Sequence, residues 1–167
     1  MNLIDCSYFY VGPLQIENAR PIDNLDNNSI AVQEAITGYI ERYQSEFLLK
    51  MVGKDVAHDV IEYLAKREED ETYAYDQAEE LCKLLRPSFA HYVYFKLVGD
   101  VNQNMTITGL KKVKSAKNEH QPPRQRMVKV WNDMVQLNKQ FIEWAETSDY
   151  DVYYYVEMIT PINQYNL

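Results

Sequence analysis

An apolar stripe near the C-terminal end constrains this chain more than any other feature. Met127, Val130, Trp131, Met134, Leu137, Phe141, Trp144 and Ala145 recur at three- and four-residue steps, one face of an α-helix. Such a helix draws its stability from burying that face, not from propensity, so helical partners must be encoded elsewhere in the chain. They are. Val32, Ile36, Tyr39, Ile40, Tyr43, Phe47 and Met51 repeat the period, after an Asn/Asp-rich loop whose Asn28 or Ser29 suits an N-cap. Gly53 is placed as the C′ residue of this helix, where a left-handed conformation is cheap only for glycine. Gly38, inside it, costs about 1 kcal/mol against alanine and marks a close helix contact.

Further helices follow. One begins after Gly53 with Val56, Val60, Ile61 and Leu64 facing inward, and ends at a solvated acidic tip around Glu68, Glu69, Asp70 and Glu71. The next spans residues 74–86 with Ala78, Leu81, Cys82 and Leu85, and Pro87 opens another that runs to Gly99, proline being favourable at a first helical position. Residues 100–123 change in kind. Thr106-Ile107-Thr108-Gly109 and residues 110–115 alternate around a glycine, as a two-stranded hairpin does, and Gln121-Pro122-Pro123 closes it stiffly. Near the start, Leu14 and Ile16 alternate with polar neighbours after Gly12-Pro13, as in a short strand. After Asp149 the helical period stops, and residues 151–160 form a β-favouring tract. The expected fold is mainly α: a helical bundle of about five helices with a projecting β-hairpin arm and an extended C-terminal tail. The helical domain covers residues 1–148, with the arm at 100–123 and the tail at 149–167.

At 167 residues the chain is one ordinary domain, large enough to bury a core without disulfide or metal staples. It is 46% hydrophobic and 25% charged, which excludes a disordered or low-complexity chain. Its apolar runs are a few residues long where a membrane span needs about 20, so no membrane partner is expected. Residues 2–5 are already mixed in polarity and do not read as a secretory signal. Cys6 and Cys82 stand far apart, as buried small side chains in a reducing compartment do. The net charge is −8, but residues 111–129 hold seven basic side chains against Glu119 alone. Everything else then has ten basic and twenty-four acidic residues, or −14. A basic arm sits on an acidic body.

Catalysis finds no support. His58, His91 and His120 lack any zinc-binding spacing, and Gly53-Lys54 lacks the earlier glycine and following Ser/Thr of a phosphate loop. No G-x-S-x-G occurs, Cys82 falls on an inner helix face, and a contiguous acidic run such as 68–71 cannot surround an ion. The chain reads as a non-enzyme with no cofactor and no metal.

Two segments stand out as interaction elements. The arm carries Ile107 and Leu110 beside Lys111, Lys112 and Lys114, in a connection longer than structural need explains. The tail carries Tyr153, Tyr154 and Tyr155. A strand with aromatic rings on both faces cannot bury both against its own bundle, so one face is left for another chain. Tyr153 and Tyr155 would share that face, with Tyr154 opposite. The plainer alternatives are a surface loop for the arm, and pairing of the tail with residues 8–11.

The order of segments carries a resemblance. Residues 5–16 (DCSYFYVGPLQI), 43–53 (YQSEFLLKMVG), 90–99 (AHYVYFKLVG), 105–119 (MTITGLKKVKSAKNE) and 127–144, with Val130-Trp131-Asn132-Asp133-Met134 at its centre, occur in succession. In this succession the chain resembles the small head–tail connector (adaptor or ring) proteins of tailed bacteriophages, in particular those of crAss-like phages and related gut prophages. The resemblance implies a structural virion protein at the head–tail junction, assembled in the host cytoplasm. Its copies would form a ring at the portal vertex, about twelve on the pattern of a portal. Implied partners are the chain itself, the portal protein, neighbouring tail or ring proteins, and DNA passing through the channel without specific binding. A closed ring needs two different patches on each subunit, and a basic arm with an acidic body supplies such a pair. An acidic lining would also keep passing DNA from sticking. The rival is a nucleic-acid-binding helical module that uses the basic residues 111–129, against which stand the charge of the body and the lack of aromatics among those lysines.

Overall fold

The computed structural model describes residues 1–20, 27–70, 72–73, 75–104 and 123–165. Among these residues four α-helices carry the fold: α1 (Asn27–Val52), α2 (Lys54–Glu69), α3 (Asp76–Asn104) and α4 (Pro123–Ala145), with short 3-10 helices at Cys6–Phe9 and Val156–Ile159. The protein is mainly helical, as expected, and there is no strand among the described residues.

The core follows the stripes. Ile36, Ile40, Phe47 and Met51 of α1 are at most 1% exposed, and Phe47 packs on Phe89 and Tyr92 of α3. Phe47 meets Phe89 at 5.0 Å between ring centroids, while the Tyr39 hydroxyl donates to Asp100 at 2.9 Å, so α1 and α3 run antiparallel. On α4, Val130, Met134, Phe141 and Ala145 are buried. Trp131 packs on Phe95 at 4.8 Å and Met127 lies against Gly99, which sets α4 antiparallel to α3.

Several expectations are corrected. Pro87 does not begin a helix; it lies inside α3, so the expected third and fourth helices are one and the described residues form four α-helices, not five. An interior proline costs about 3 kcal/mol through its missing N–H and its clash with the preceding turn. The side chains that follow it, Ser88, Phe89 and Ala90, are all at most 1% exposed, and burial on that scale holds the helix together across the defect. Gly99 does not end α3 either. A Cβ there would sit 3.2 Å from the Met127 methyl, so the glycine is a close-approach site under α4, and residues 100–104, placed in the arm by sequence, continue the helix. The remainder of the expected arm, residues 105–122, lies outside the described residues.

Leu14 and Ile16 are buried as their alternation suggests, yet by a folded-back loop and not by a strand: the Ile16 N–H donates to the Phe9 carbonyl at 3.0 Å. In α2 the buried ring is Tyr63, and Ile61 is 40% exposed. Gly38 has nothing within 4 Å of where a Cβ would be, so it marks no helix contact.

Gly53 joins α1 to α2 in a single residue. Its φ is +80° with an extended ψ of 176°, a conformation essentially confined to glycine and different from the left-handed helical one expected. Its N–H closes α1 on the Leu49 carbonyl and its carbonyl opens α2 by accepting from Ala57. A Cβ on Gly53 would also lie 3.0 Å from the Tyr153 Cβ and 3.2 Å from the Tyr153 carbonyl oxygen. Gly53→Ala is therefore expected to cost about 1–3 kcal/mol, whereas Gly38→Ala stabilises by about 0.4–1 kcal/mol. Urea unfolding of the two variants checks the opposite signs.

Candidate interaction surface

The C-terminal segment is built onto the helices by its main chain. After α4 a compact turn forms, with Glu146, Thr147 and Ser148 amides donating back to Ile142, Trp144 and Ala145, and Tyr150 stacked on Trp144 at 6.2 Å. Residues 151–155 then cross the end of α1. The Tyr153 N–H donates to the Val52 carbonyl at 3.3 Å and the Tyr155 N–H to the Lys50 carbonyl at 2.8 Å. The last carbonyls of a helix have no partner within it, so the segment caps α1.

Beyond the crossing, side chains of α4 hold the segment. Met158 is fully buried, and its carbonyl accepts from the Asn138 amide at 2.6 Å. The Asn138 side-chain oxygen in turn accepts from the Ser88 hydroxyl. The Trp131 indole donates to the Thr160 carbonyl at 2.9 Å, and Asn132 pairs both ways with Ile162, at 3.0 and 2.9 Å. Residues 150–162 therefore lie along their own α1 and α4, and not along residues 8–11.

A charged chain ties the same segment to the core. Lys50 donates to Glu46 and to Glu157, each at 2.8 Å, and the Tyr92 hydroxyl donates to Glu46 at 2.7 Å. Burial alone would raise the Glu46 carboxyl; hydrogen bonds from Lys50 and Tyr92 outweigh it and hold the group below its ordinary range. Burial and then the Glu46 hydrogen bond push the Tyr92 phenol far up, so it stays a donor. For Lys50, burial is likewise outweighed by its two carboxylate partners, and its pKa rises.

What this frame presents outward is aromatic. Tyr153, Tyr155 and Val156 are 68, 52 and 72% exposed, and Tyr154 is 38% exposed. The expected split, with one face of the tract covered and the other free, is not seen: all three tyrosines are outside, because the backbone is irregular and the anchors are Met158 and the main chain. The Tyr153 hydroxyl donates to Asp151 at 3.0 Å. Beside the ledge an open groove of about 590 Å³ is lined by Ser45 and Leu49 of α1 and by Lys54, Asp55, Ala57 and Asp59 of α2. The other sequence candidates, Ile107, Leu110, Lys111, Lys112 and Lys114, lie outside the described residues.

Among the described residues no three His, Cys, Asp or Glu side chains gather as metal ligands, and no helix is long and apolar enough to cross a membrane. Burial pushes the Cys82 thiol up to about 11, the opposite of what a nucleophile needs. Burial also lowers His91, whose Nδ1 lies 2.7 Å from the Pro87 carbonyl. Comparison with family models, curated proteins and solved structures finds no match to the chain.

The residues that position this surface are Trp131, Asn132 and Asn138; the sequence placed Trp131 on the apolar stripe but did not show that any of the three anchors the tail. Asn138 carried a readable signal: it continues the buried row of Met134, Phe141 and Ala145, and a polar side chain there needs a partner.

Two outcomes follow. Asn138→Ala and Met158→Ala should each cost about 2–4 kcal/mol in urea unfolding, and the double variant less than the sum, because both release one segment. Tyr154→Ala should stay within about 0.5 kcal/mol. Separately, a carboxyl held low in the folded state contributes stability above its unfolded pKa and loses it as pH falls through the folded value. Stability should thus decline in acid, and Glu46→Gln should flatten that decline in pH-dependent thermal melts.

Proposed function

We propose that this protein is a structural virion subunit of a tailed-phage head–tail connector: a ring at the portal vertex that joins portal to tail and lets DNA pass. The observation that carries this reading is the exposure of Tyr153, Tyr155 and Val156 on a segment that its own amides at Tyr153 and Tyr155 tie to α1. A soluble domain has no internal use for three large side chains fixed in water, whereas an assembly subunit does, since such rings are frequent at interfaces. The acidic body suits a channel wall that DNA slides past. The resemblance in segment order supplies the kind of assembly, and the alternation about Gly109 supports a hairpin arm within residues 105–122.

In this role the partners are further copies of the chain, the portal protein and the neighbouring tail or ring proteins, and no reaction is catalysed. Mass photometry and negative-stain images of the purified protein mixed with portal should show closed rings of one size. Tyr153→Ser with Val156→Ser should impair their formation while leaving the melting temperature unchanged. Tight duplex DNA binding at physiological salt, lost when Lys111, Lys112 and Lys114 become glutamate, would replace this reading with the nucleic-acid-binding one.

A further inference from the structure

We infer that one copy's lysine-rich segment, residues 105–122, docks on an acidic–aromatic band of the next copy, formed by Tyr153, Val156, Leu49 and the carboxylates around them. This rests on the ring-subunit role and names the contact that would close the ring.

The band is continuous. Gly53 brings Tyr153 against the α1–α2 junction, and the Tyr155 amide is bonded to the Lys50 carbonyl, next to Leu49. Leu49 is 42% exposed and lines the groove that Asp55 and Asp59 border on the α2 side. Lys54 and Asp55, which line the groove, directly follow the Gly53 that Tyr153 packs against, and the Tyr153 hydroxyl donates to Asp151, so groove and ledge meet at that residue.

Charge selects the occupant. Asp55, Asp59, Asp149, Asp151 and Glu157 against Lys50 and Lys54 give the band −3. Lys111, Lys112, Lys114 and Lys117 against Glu119 give residues 105–122 a charge of +3. The apolar content matches too, since Ile107 and Leu110 accompany the lysines and exposed tyrosine faces attract ammonium groups as well as aliphatic chains.

Position favours a neighbouring copy. Residues 105–122 join Asn104 of α3 to Pro123 of α4, at the end of the bundle where Met127 covers Gly99 and Tyr39 bonds Asp100. The band sits at the other end, level with Ser88 and Asn138, where the segment after α4 crosses α1. From Asn104 back to Ser88, α3 rises about 24 Å. A segment attached at one end of the subunit and an acidic band at the other suit a head-to-tail contact, and such contacts generate rings when the rotation closes.

The test is a charge swap in the full-length chain, followed by sedimentation equilibrium and mass photometry, alone and with portal protein present. One variant carries Lys111→Glu, Lys112→Glu and Lys114→Glu; the other carries Asp59→Lys and Asp151→Lys, both exposed positions. Each variant alone should lose about tenfold or more in association constant, and the two mixed should regain it, with circular dichroism unchanged. Tyr153→Ser with Val156→Ser should weaken association without altering its salt dependence. Rings that form normally from either charge variant would overturn the contact and leave the ring role standing. Equal loss with no recovery on mixing would overturn the contact as well. A wild-type chain that stays monomeric in every condition would overturn both.

Discussion

The amide of Asn138 joins three parts of the molecule at one buried point. It accepts from Ser88 on α3, projects from α4 and donates to the carbonyl of Met158 in the C-terminal segment, all without access to water. A buried amide left without partners costs about 1–3 kcal/mol, so the three parts must arrive together or pay that penalty. This is why Met158 reaches the core and why the segment before it is drawn across the end of α1. The arrangement also relieves α1, whose last carbonyls at Lys50 and Val52 receive amides from Tyr155 and Tyr153. Helix termination and segment placement are one event, and Gly53 makes room for it.

A second set of contacts fixes the same geometry from the opposite side. Lys96 lies over the rings of Tyr43 and Tyr92, at 5.1 and 5.2 Å, and approaches Glu46 at 3.7 Å. Glu46 also receives Tyr92 and Lys50, and Lys50 reaches on to Glu157. None of these ion pairs is deeply buried, and singly they contribute little. Their effect is on direction: they hold α1 and α3 in register where the C-terminal segment crosses, so the ledge rests on two helices with a common orientation.

Most of the helical fold was legible because periodicity reports burial directly. Ile36, Ile40, Phe47, Val60, Leu81, Met134 and Phe141 all stand on the stripes and are all in the core. The misreadings share one physical cause, the priority of tertiary burial over local signals. Pro87 and Gly99 look like punctuation, yet α3 runs through both, with buried Phe89 beyond the one and the Met127 methyl over the other. Leu14 and Ile16 alternate as in a strand, yet two buried side chains are equally available to a loop anchored on Phe9. At the surface, the tyrosines were visible in the sequence but their support was not. Nothing local to residues 151–160 tells that Asn132, Asn138 and Trp131, some twenty to thirty positions away, will bond their carbonyls and amides.

That support changes what a partner can do. An unpaired strand invites a neighbour to add its backbone, and ordering it costs about 1–2 kcal/mol per residue at the moment of binding. Here the amides of Tyr153 and Tyr155 are already given to α1, so no β-ladder can be extended through them. The ordering cost has been met within the fold by Met158 and the Asn138 network. A partner therefore gains affinity from the rings and the carboxylates around them, not from the main chain. Each tyrosine loses only two side-chain torsions on contact, so its area is recovered at small entropic cost. In the proposed ring, selectivity would then reside in charge and shape at the ledge, a surface that would meet the same patch on every identical copy in the same way. Repetition of one contact is the physical requirement of a ring.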